Sequence, residues 1–351
     1  MKVNTGRGAL SNPDNRFHAH ASAAFDDGWG SLSSLEPVTT QLAVDRSRSV
    51  IVYNQSPDVP FDRSINPYRG CEHGCVYCFA RPTHAYLDCS PGLDFESRIF
   101  YKPDAAALLE KELCRPAYRC QPIALGVNTD AYQPVERKLG VTRSLLKVLQ
   151  AYRHPVGIVT KSALVERDID LLGDMAAQGL VHVMVSVTTL DKQLARTLEP
   201  RAAAPHRRLE IIRRLTAAGI PVGVLLAPVI PFLNDNDIET ILEQVREAGA
   251  LTAGYVMIRL PHEVKDLFRD WLEHHVPDKA EHVMNRIRDL RGGRENDATF
   301  GRRMTGTGVF ADIVRQRFER ALKRAAFPGM PDFECGLFRR PPERQPQLSL
   351  F

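Results

Sequence analysis

Short apolar runs alternate with amphipathic stretches along most of the chain, and the alternation is regular enough to assign elements. Residues 49–53 (Ser-Val-Ile-Val-Tyr) are strand-like, and 64–68 reads as a second strand. Helical periodicity covers 104–114, 142–152, 164–178, 207–218 and 237–248, with Pro103 near the first start and Gly179 and Gly219 closing the third and fourth. Between and after them lie apolar or β-branched runs at 123–127, 156–160, 181–187, 221–226 and 254–259. Such runs alternating with helices of about ten residues predict βα units on a parallel sheet. With the strand at 64–68 the count is six, which predicts an α/β fold built as a partial (β/α)6 TIM-like barrel. Residues 1–45 are rich in Gly, Ser, Asn, Asp and His with weak periodicity, and predict a polar, partly disordered N-terminal extension. The barrel is assigned to 46–276, and 277–351 to a basic, mainly helical C-terminal extension.

Composition narrows the setting. The chain has 351 residues, 44% hydrophobic and 25% charged, in the ordinary range for a globular protein. No run of about eighteen apolar residues could span a membrane, and residues 1–15 lack the apolar stretch of a signal peptide. The expectation is a cytoplasmic protein with no membrane partner. Residues 277–351 carry 15 Lys/Arg against 10 Asp/Glu, whereas the other 276 carry 31 against 32, so the whole excess of +4 sits at the C-terminal end. A basic end attracts nucleic acid or phosphorylated substrates; a solvated helical face reads the same way.

The chemistry concentrates in one stretch, Asn66-Pro67-Tyr68-Arg69-Gly70-Cys71-Glu72-His73-Gly74-Cys75-Val76-Tyr77-Cys78. Three thiols stand in a C-x3-C-x2-C spacing. A tetrahedral structural zinc takes four protein ligands, and a cubane iron–sulfur cluster usually takes four thiolates, one per iron. Three thiolates on a cubane leave one iron open for a reacting ligand. The alternatives are a zinc knuckle completed by His73 or His84, in a nucleic-acid-binding protein without catalysis, and three unrelated core cysteines. Gly70 and Gly74 suit a loop that curls round an inorganic core.

In a barrel of parallel strands, ligand groups gather at the strands' C-terminal ends. Polar residues do follow the predicted strands: Asn128, Thr129 and Asp130; Lys161 and Ser162; Ser186, Thr188 and Thr189; Asn234 and Asp235; and Arg259. Ser, Thr, Asn and Asp at these places are also ordinary helix caps. Lys161 and Arg259 are not, because a cation at a helix start opposes the dipole.

The cysteine spacing, with an aromatic residue just before the last cysteine, resembles the radical S-adenosylmethionine (SAM) superfamily. Within it the chain looks most like the spore photoproduct lyase group, sometimes called DNA repair photolyases. The likeness runs from about 64 to 259 through Pro67-Tyr68-Arg69-Gly70-Cys71, Thr129-Asp130…Glu136, and Thr160-Lys161-Ser162 with Arg167-Asp168. It implies a [4Fe-4S] cluster on Cys71, Cys75 and Cys78 whose open iron binds S-adenosyl-L-methionine, and reductive cleavage to a 5′-deoxyadenosyl radical that abstracts hydrogen from a substrate, nucleic acid among the candidates. It implies an electron donor such as a flavodoxin or ferredoxin. By position it implies that Tyr77 lies beside the adenine, that Asn128, Thr129 and Asp130 hold the SAM amino group, and that Lys161 pairs with the carboxylate. Ser186 would bond the ribose or carboxylate and Arg201 would be a second carboxylate clamp, and Arg259, at the end of the sixth strand, is counted with them as a cofactor-binding residue. The lyase proper carries a hydrogen-returning cysteine just before its Ser/Thr-Asp pair. Here Val127 and Asn128 stand there, no cysteine occurs from 121 to 334, and Cys120 and the tail residue Cys335 are the remaining candidates. The substrate is therefore open.

Overall fold

Parallel pairing carries the frame. In the computed structural model, which describes residues 6–17 and 38–340, the strands are β1 Gln41–Val44, β2 Ile51–Tyr53, β3 Arg63–Ile65, β4 Tyr68–Arg69, β5 Arg98–Tyr101, β6 Ile123–Leu125, β7 Val156–Thr160, β8 Val181–Ser186, β9 Val222–Val229 and β10 Thr252–Met257. The helices are α1 Leu93–Ser97, α2 Ala105–Leu113, α3 Glu136–Leu139, α4 Val141–Ala151, α5 Ile169–Ala176, α6 Lys192–Leu198, α7 Pro205–Ala217, α8 Ile238–Glu247, α9 Val264–His275, α10 Pro277–Leu290 and α11 Val309–Ala325. The main sheet has the order β10-β9-β8-β7-β6-β3-β2. Every pair is parallel except the terminal β2–β3 pair. Six parallel strands with helices outside make the partial barrel that the alternation predicts. A small sheet, β1-β5-β4, sits beside it.

The strands are apolar because both faces are covered. Val156, Ile158, Val181, Val183, Val185, Val222 and Val224 are fully buried, with Leu145, Leu149, Leu172, Ile212 and Ile241 from the flanking helices. A second apolar cluster fills the barrel mouth. It joins Val76 and Tyr77 of the cysteine loop to Leu198, Ile230, Ile258, Phe268, Trp271 and Ile287. Among the described residues no helix is long and apolar enough to cross a membrane.

Several boundaries differ from the sequence expectation. The helix expected over 164–178 is a 3-10 turn, Ala163–Asp168, followed by α5. Asp168 breaks it, since its carboxylate is taken by Arg143, Arg167 and Tyr132. The fifth parallel strand runs past 226 through Pro228 to Val229. Asn234 supports this end, donating to the Pro228 carbonyl at 2.9 Å and accepting from the Ile230 N–H at 2.6 Å. In the extension read as partly disordered, residues 6–17 pack against the cysteine loop and α1, with Gly8, Ala9 and Asn15 buried, while β1 pairs with β5 and stays exposed. Residues 1–5 and 18–37 of that extension, and 341–351 of the C-terminal one, lie outside the described residues.

Two parts of the C-terminal extension matter for the site. The loop before α11 joins the two edges of the open barrel. The Met257 N–H, on β10, donates to Met304 O at 2.8 Å, while Gly301 N and Arg303 both donate to Asp58, in the β2–β3 loop. The tail after α11 crosses the opposite end of the barrel. Phe333 stacks on His182 with ring centroids 3.8 Å apart, and Phe338 sits among Tyr118, Tyr152 and His154.

Because Phe338 is only half-buried, Phe338→Ala should cost about 1–3 kcal/mol, below the cost of emptying a core site. Thermal unfolding would register this as a fall of a few degrees. An unchanged midpoint would show that the tail contributes nothing.

Candidate active site at the cysteine loop

The cysteine loop leaves β4 and crosses the barrel mouth. Its backbone turns are few: Gly74 N bonds Cys71 O at 3.3 Å and Cys78 N bonds Cys75 O at 3.2 Å. The rest of the chain therefore holds it. Gln133 donates to Gly70 O at 3.1 Å and accepts from Glu72 N at 2.9 Å. Val76 N reaches Leu198 O at 3.1 Å, and Arg201 N reaches His73 O at 3.3 Å. Beneath the loop, Tyr68 donates to Glu136, which also takes Arg167 at 2.7 Å. The scattered residues Tyr68, Glu136, Arg167 and Asp168, matched by the resemblance, thus meet in one network.

Two buried carboxylates organise the loop. Glu96 forms a fully buried pair with Arg81. Arg81 in turn donates to the carbonyls of Gly74, Cys75, Pro91 and Gly92. Glu96 also accepts from Gly8 N at 3.0 Å and Ala9 N at 2.8 Å. A Cβ on Gly8 would lie 1.7 Å from Gly74 O, so only glycine lets the N-terminal segment approach this closely.

The second is Glu199. One of its oxygens accepts from Lys161 at 2.9 Å, from Thr188 at 2.8 Å and from the Tyr77 hydroxyl, and the other accepts from Arg208. Burial would raise this carboxyl, but Arg208 and Lys161 outweigh it and hold it well below the usual carboxylate range. Burial would lower the Lys161 ammonium, but the field of Cys75 and that of Glu199 raise it, so it stays charged.

The three sulfurs fit a cluster. Cys71 and Cys75 are buried and Cys78 is half-buried, all as free thiols. Burial pushes the Cys75 thiol up to about 12. It raises Cys71 further, helped by Asp130 and by the other two thiols. Three thiolates crowded away from water repel one another, and bound iron offsets that repulsion. The Asp130 backbone lies close enough to the Cys71 sulfur to favour its thiolate, and polar groups so placed tune a ligated thiolate. Among the described residues no three His, Cys, Asp or Glu side chains are arranged to hold a single metal ion.

The expected site residues sit where the strand-end rule puts them, with differing surroundings. Asp130 is buried. It accepts from Thr160, Tyr132 N and Lys161 N, each at 2.8 Å, and lies 3.3 Å from His73. Burial would raise its carboxyl, but His73 and those amides lower it. Thr129 donates to Tyr68 O at 2.7 Å, and Asn128 is exposed. Ser186 ends β8, where its carbonyl accepts from Arg208. Arg201 lies against the cysteine loop, 3.1 Å from Glu72. Arg259 lies over the Phe79 ring at 5.2 Å. Cys335 does not fold back to this mouth. It lies beside Cys120, just ahead of β6 at the other end of the barrel. Glu199, Arg208, Glu96 and Arg81 escaped the sequence reading. Glu199 is 122 positions from Tyr77 and carries no motif of its own.

Comparison with known proteins agrees with this geometry. The profile of the Radical SAM superfamily matches residues 65–245. An uncharacterized protein of Mycobacterium tuberculosis is 38% identical over 234 residues, 66% of this chain and 68% of that one. An uncharacterized protein of Methanocaldococcus jannaschii is 27% identical over 63% of this chain and 79% of that one. Among solved structures, spore photoproduct lyase complexed with dinucleoside spore photoproduct superposes with a TM-score of 0.58 at 16% identity, covering 82% of this chain and 80% of that one. A mutant of that lyase with bound AdoMet and the dinucleoside gives 0.58 at 16% identity over 85% and 86%. At such identity the likeness speaks for the fold.

Replacing Glu199 by Gln strands two buried cations and should cost about 3–5 kcal/mol at neutral pH. A carboxyl held below its ordinary 4.5 stabilises above that pH, and the gain is lost as pH falls toward the folded value. Denaturant titrations should therefore show the variant's deficit narrowing below about pH 4. A deficit that ignores pH would assign the cost to packing. Gly8→Val should lift the N-terminal segment and shorten the lifetime in air of any chromophore on the three cysteines, read as the decay of visible absorbance.

Proposed function

The chain belongs to the radical SAM superfamily, and from that premise we propose that it is an enzyme whose Cys71, Cys75 and Cys78 hold a [4Fe-4S] cluster with one iron open to SAM. When bound, the pair supplies one-electron reductive cleavage of the SAM sulfonium and, through it, removal of a hydrogen atom from a substrate. The observation that carries the reading is the convergence of three free thiols, two buried and one half-buried, with no fourth thiol in the motif, on a loop at the strands' C-terminal rim.

The chain's own residues have distinct tasks in this reading. Asp130, whose backbone lies beside the Cys71 sulfur, favours its thiolate form. Glu199 clamps Tyr77 to Lys161 and Arg208, and so sets the position of Cys75 and Cys78 on either side of Tyr77. The SAM-binding group comprises Tyr77, Asn128, Thr129, Asp130, Lys161, Ser186 and Arg201. Asn128, exposed, and Arg201, about a third exposed, offer polar ends to a ligand. Asp130 and Lys161 are engaged within the chain and position the loop. Val76 and the apolar mouth exclude water from the reacting groups. A flavodoxin or ferredoxin is the class of donor that supplies the electron.

Spore photoproduct lyase shares the fold, but Val127 and Asn128 stand where that lyase carries its cysteine, and the tail cysteine packs at the far end. The activity is therefore assigned to hydrogen abstraction without spore photoproduct as the substrate.

Anaerobic purification should yield a brown protein with about four irons per chain. Reduced with dithionite in the presence of SAM, it should form 5′-deoxyadenosine and methionine. Cys75→Ala should abolish both iron retention and deoxyadenosine. A colourless protein with one zinc, or deoxyadenosine made by Cys75→Ala at the wild-type rate, would overturn the assignment.

A further inference from the structure

Two of the most deeply buried arginines in this chain come with carboxylates. Arg81 has Glu96 and Arg208 has Glu199, each pair almost wholly out of water. Arg259 departs from that pattern. It follows β10 by two residues and is mostly buried, yet it makes no ion pair among the described residues. Its contacts are the Phe79 ring at 5.2 Å and the Met304 sulfur at 3.6 Å. A thioether is a weak acceptor, and the Nε of Arg259 is buried with no partner.

Its neighbours sharpen the anomaly. Arg291 braces the end of β10, donating to Ile258 O at 2.6 Å and Arg302 O at 3.0 Å, and its Nε too is buried without a partner. Arg303 is held by Asp58 and Ser56. The three guanidinium groups feel one another. Burial and then Arg303 depress the Arg259 guanidinium, with Asp58 opposing. Burial and then Arg259 depress that of Arg291 to about 10, with Asp297 opposing. Asp58 is occupied by Arg303 and Gly301 N, and Asp297 by Thr299 N. A desolvated cation without a counter-charge costs free energy, and an oxyanion would relieve it.

The place suits a ligand. Phe79 immediately follows Cys78, so Arg259 stands beside the cysteine loop. The group also lies where the loop before α11 joins the open edges of the barrel, β10 and the β2–β3 turn. Phe79 and Phe300, the latter under the Arg303 guanidinium at 4.7 Å, are large exposed aromatics there.

We propose that Arg259, flanked by Arg291 and Arg303, binds a phosphoryl group of the substrate at the seam of the barrel beside the cysteine loop. A guanidinium presents paired N–H donors that match phosphate oxygens. Phe79 stabilises the guanidinium through its ring face, and the exposed rings of Phe79 and Phe300 take the planar part of the same ligand. The phosphoryl group belongs to a polynucleotide or to a small phosphorylated molecule. The inference rests on the proposed function, because it names what that site acts on.

The test uses the cluster-loaded full chain in phosphate-free buffer. Fluorescence anisotropy measures binding of a short labelled oligothymidylate, of the same oligomer with uncharged methylphosphonate links, and of AMP as competitor. Wild type should bind the charged oligomer or be occupied by AMP. Arg259→Met should weaken that binding about tenfold or more and lower the salt slope by about one. The methylphosphonate should show no such difference. Arg303→Gln, in a surface loop, should give a smaller loss in the same direction and serves if Arg259→Met fails to fold. Displacement by AMP at similar affinity identifies a small phosphorylated substrate; oligomer binding that AMP does not compete identifies a polynucleotide. No binding by wild type, equal affinity in wild type and variant, or a variant that loses SAM affinity alone, overturns the proposal. Deoxyadenosine formation by wild type without any probe reports separately on the proposed function, so the two readings fail independently.

Discussion

A buried carboxylate that gathers two cations and a phenol is the interaction on which the site depends. The cysteine loop has little hydrogen bonding of its own, so its shape must come from outside. Glu199 supplies that from the far side of the barrel, binding Tyr77 between Lys161 of the third parallel strand's end and Arg208 of α7. Removing either partner from such a group is costly because the remainder stays charged and dry. The loop is thereby coupled to the sheet: a shift of β7 or α7 would be felt at Cys75 and Cys78.

The opposite flank of the loop uses the same device. Arg81 and Glu96 neutralise each other, and their remaining donors and acceptors are spent on the backbone of the loop and of residues 8 and 9. The N-terminal segment thus becomes a cover for the cysteines, and Gly8 against Gly74 sets how closely it fits. Paired carboxylates on both flanks leave Cys71 and Cys75 buried beside Val76 and the apolar mouth, with Glu72 and His73 the buried polar side chains of the loop. That is the environment an oxygen-sensitive, low-dielectric redox site requires.

An incomplete barrel has two unpaired edges, and unpaired edges are either covered or used. Here the C-terminal extension does both jobs at different ends. Its loop before α11 joins β10 to the β2–β3 turn beside the site, while its tail closes the other end with Phe333 and Phe338. Arg259 and Arg291, which make no ion pair among the described residues and whose Nε atoms are buried without partners, both stand at the joined seam. Charge left unpaired at one place, and paired elsewhere in the same chain, marks that place as built for something outside the chain.

The order of the barrel's strands and helices, the six parallel units and the three closely spaced thiols were legible in the sequence. They depend on local regularities: a period of two or of 3.6, glycines that end helices, and ligands spaced within a single loop. Asp130, Lys161, Ser186 and Arg259 were legible as rim positions because a parallel strand's end fixes where the next residue goes. What each of them does there was decided by tertiary structure. Lys161 and Asp130 are engaged by Glu199 and by loop amides. Cys335 went to Cys120, at the end away from the cysteine loop. Residues 6–17, with no periodicity to read, are placed by their contacts with Glu96 and the cysteine loop. Glu199, Arg208, Arg81 and Glu96 look like ordinary surface charges in the sequence. They act only when folding brings them together and removes the water, and burial strengthens their attraction well beyond its value in solvent. A pairing between residues more than a hundred positions apart leaves no periodic mark on either.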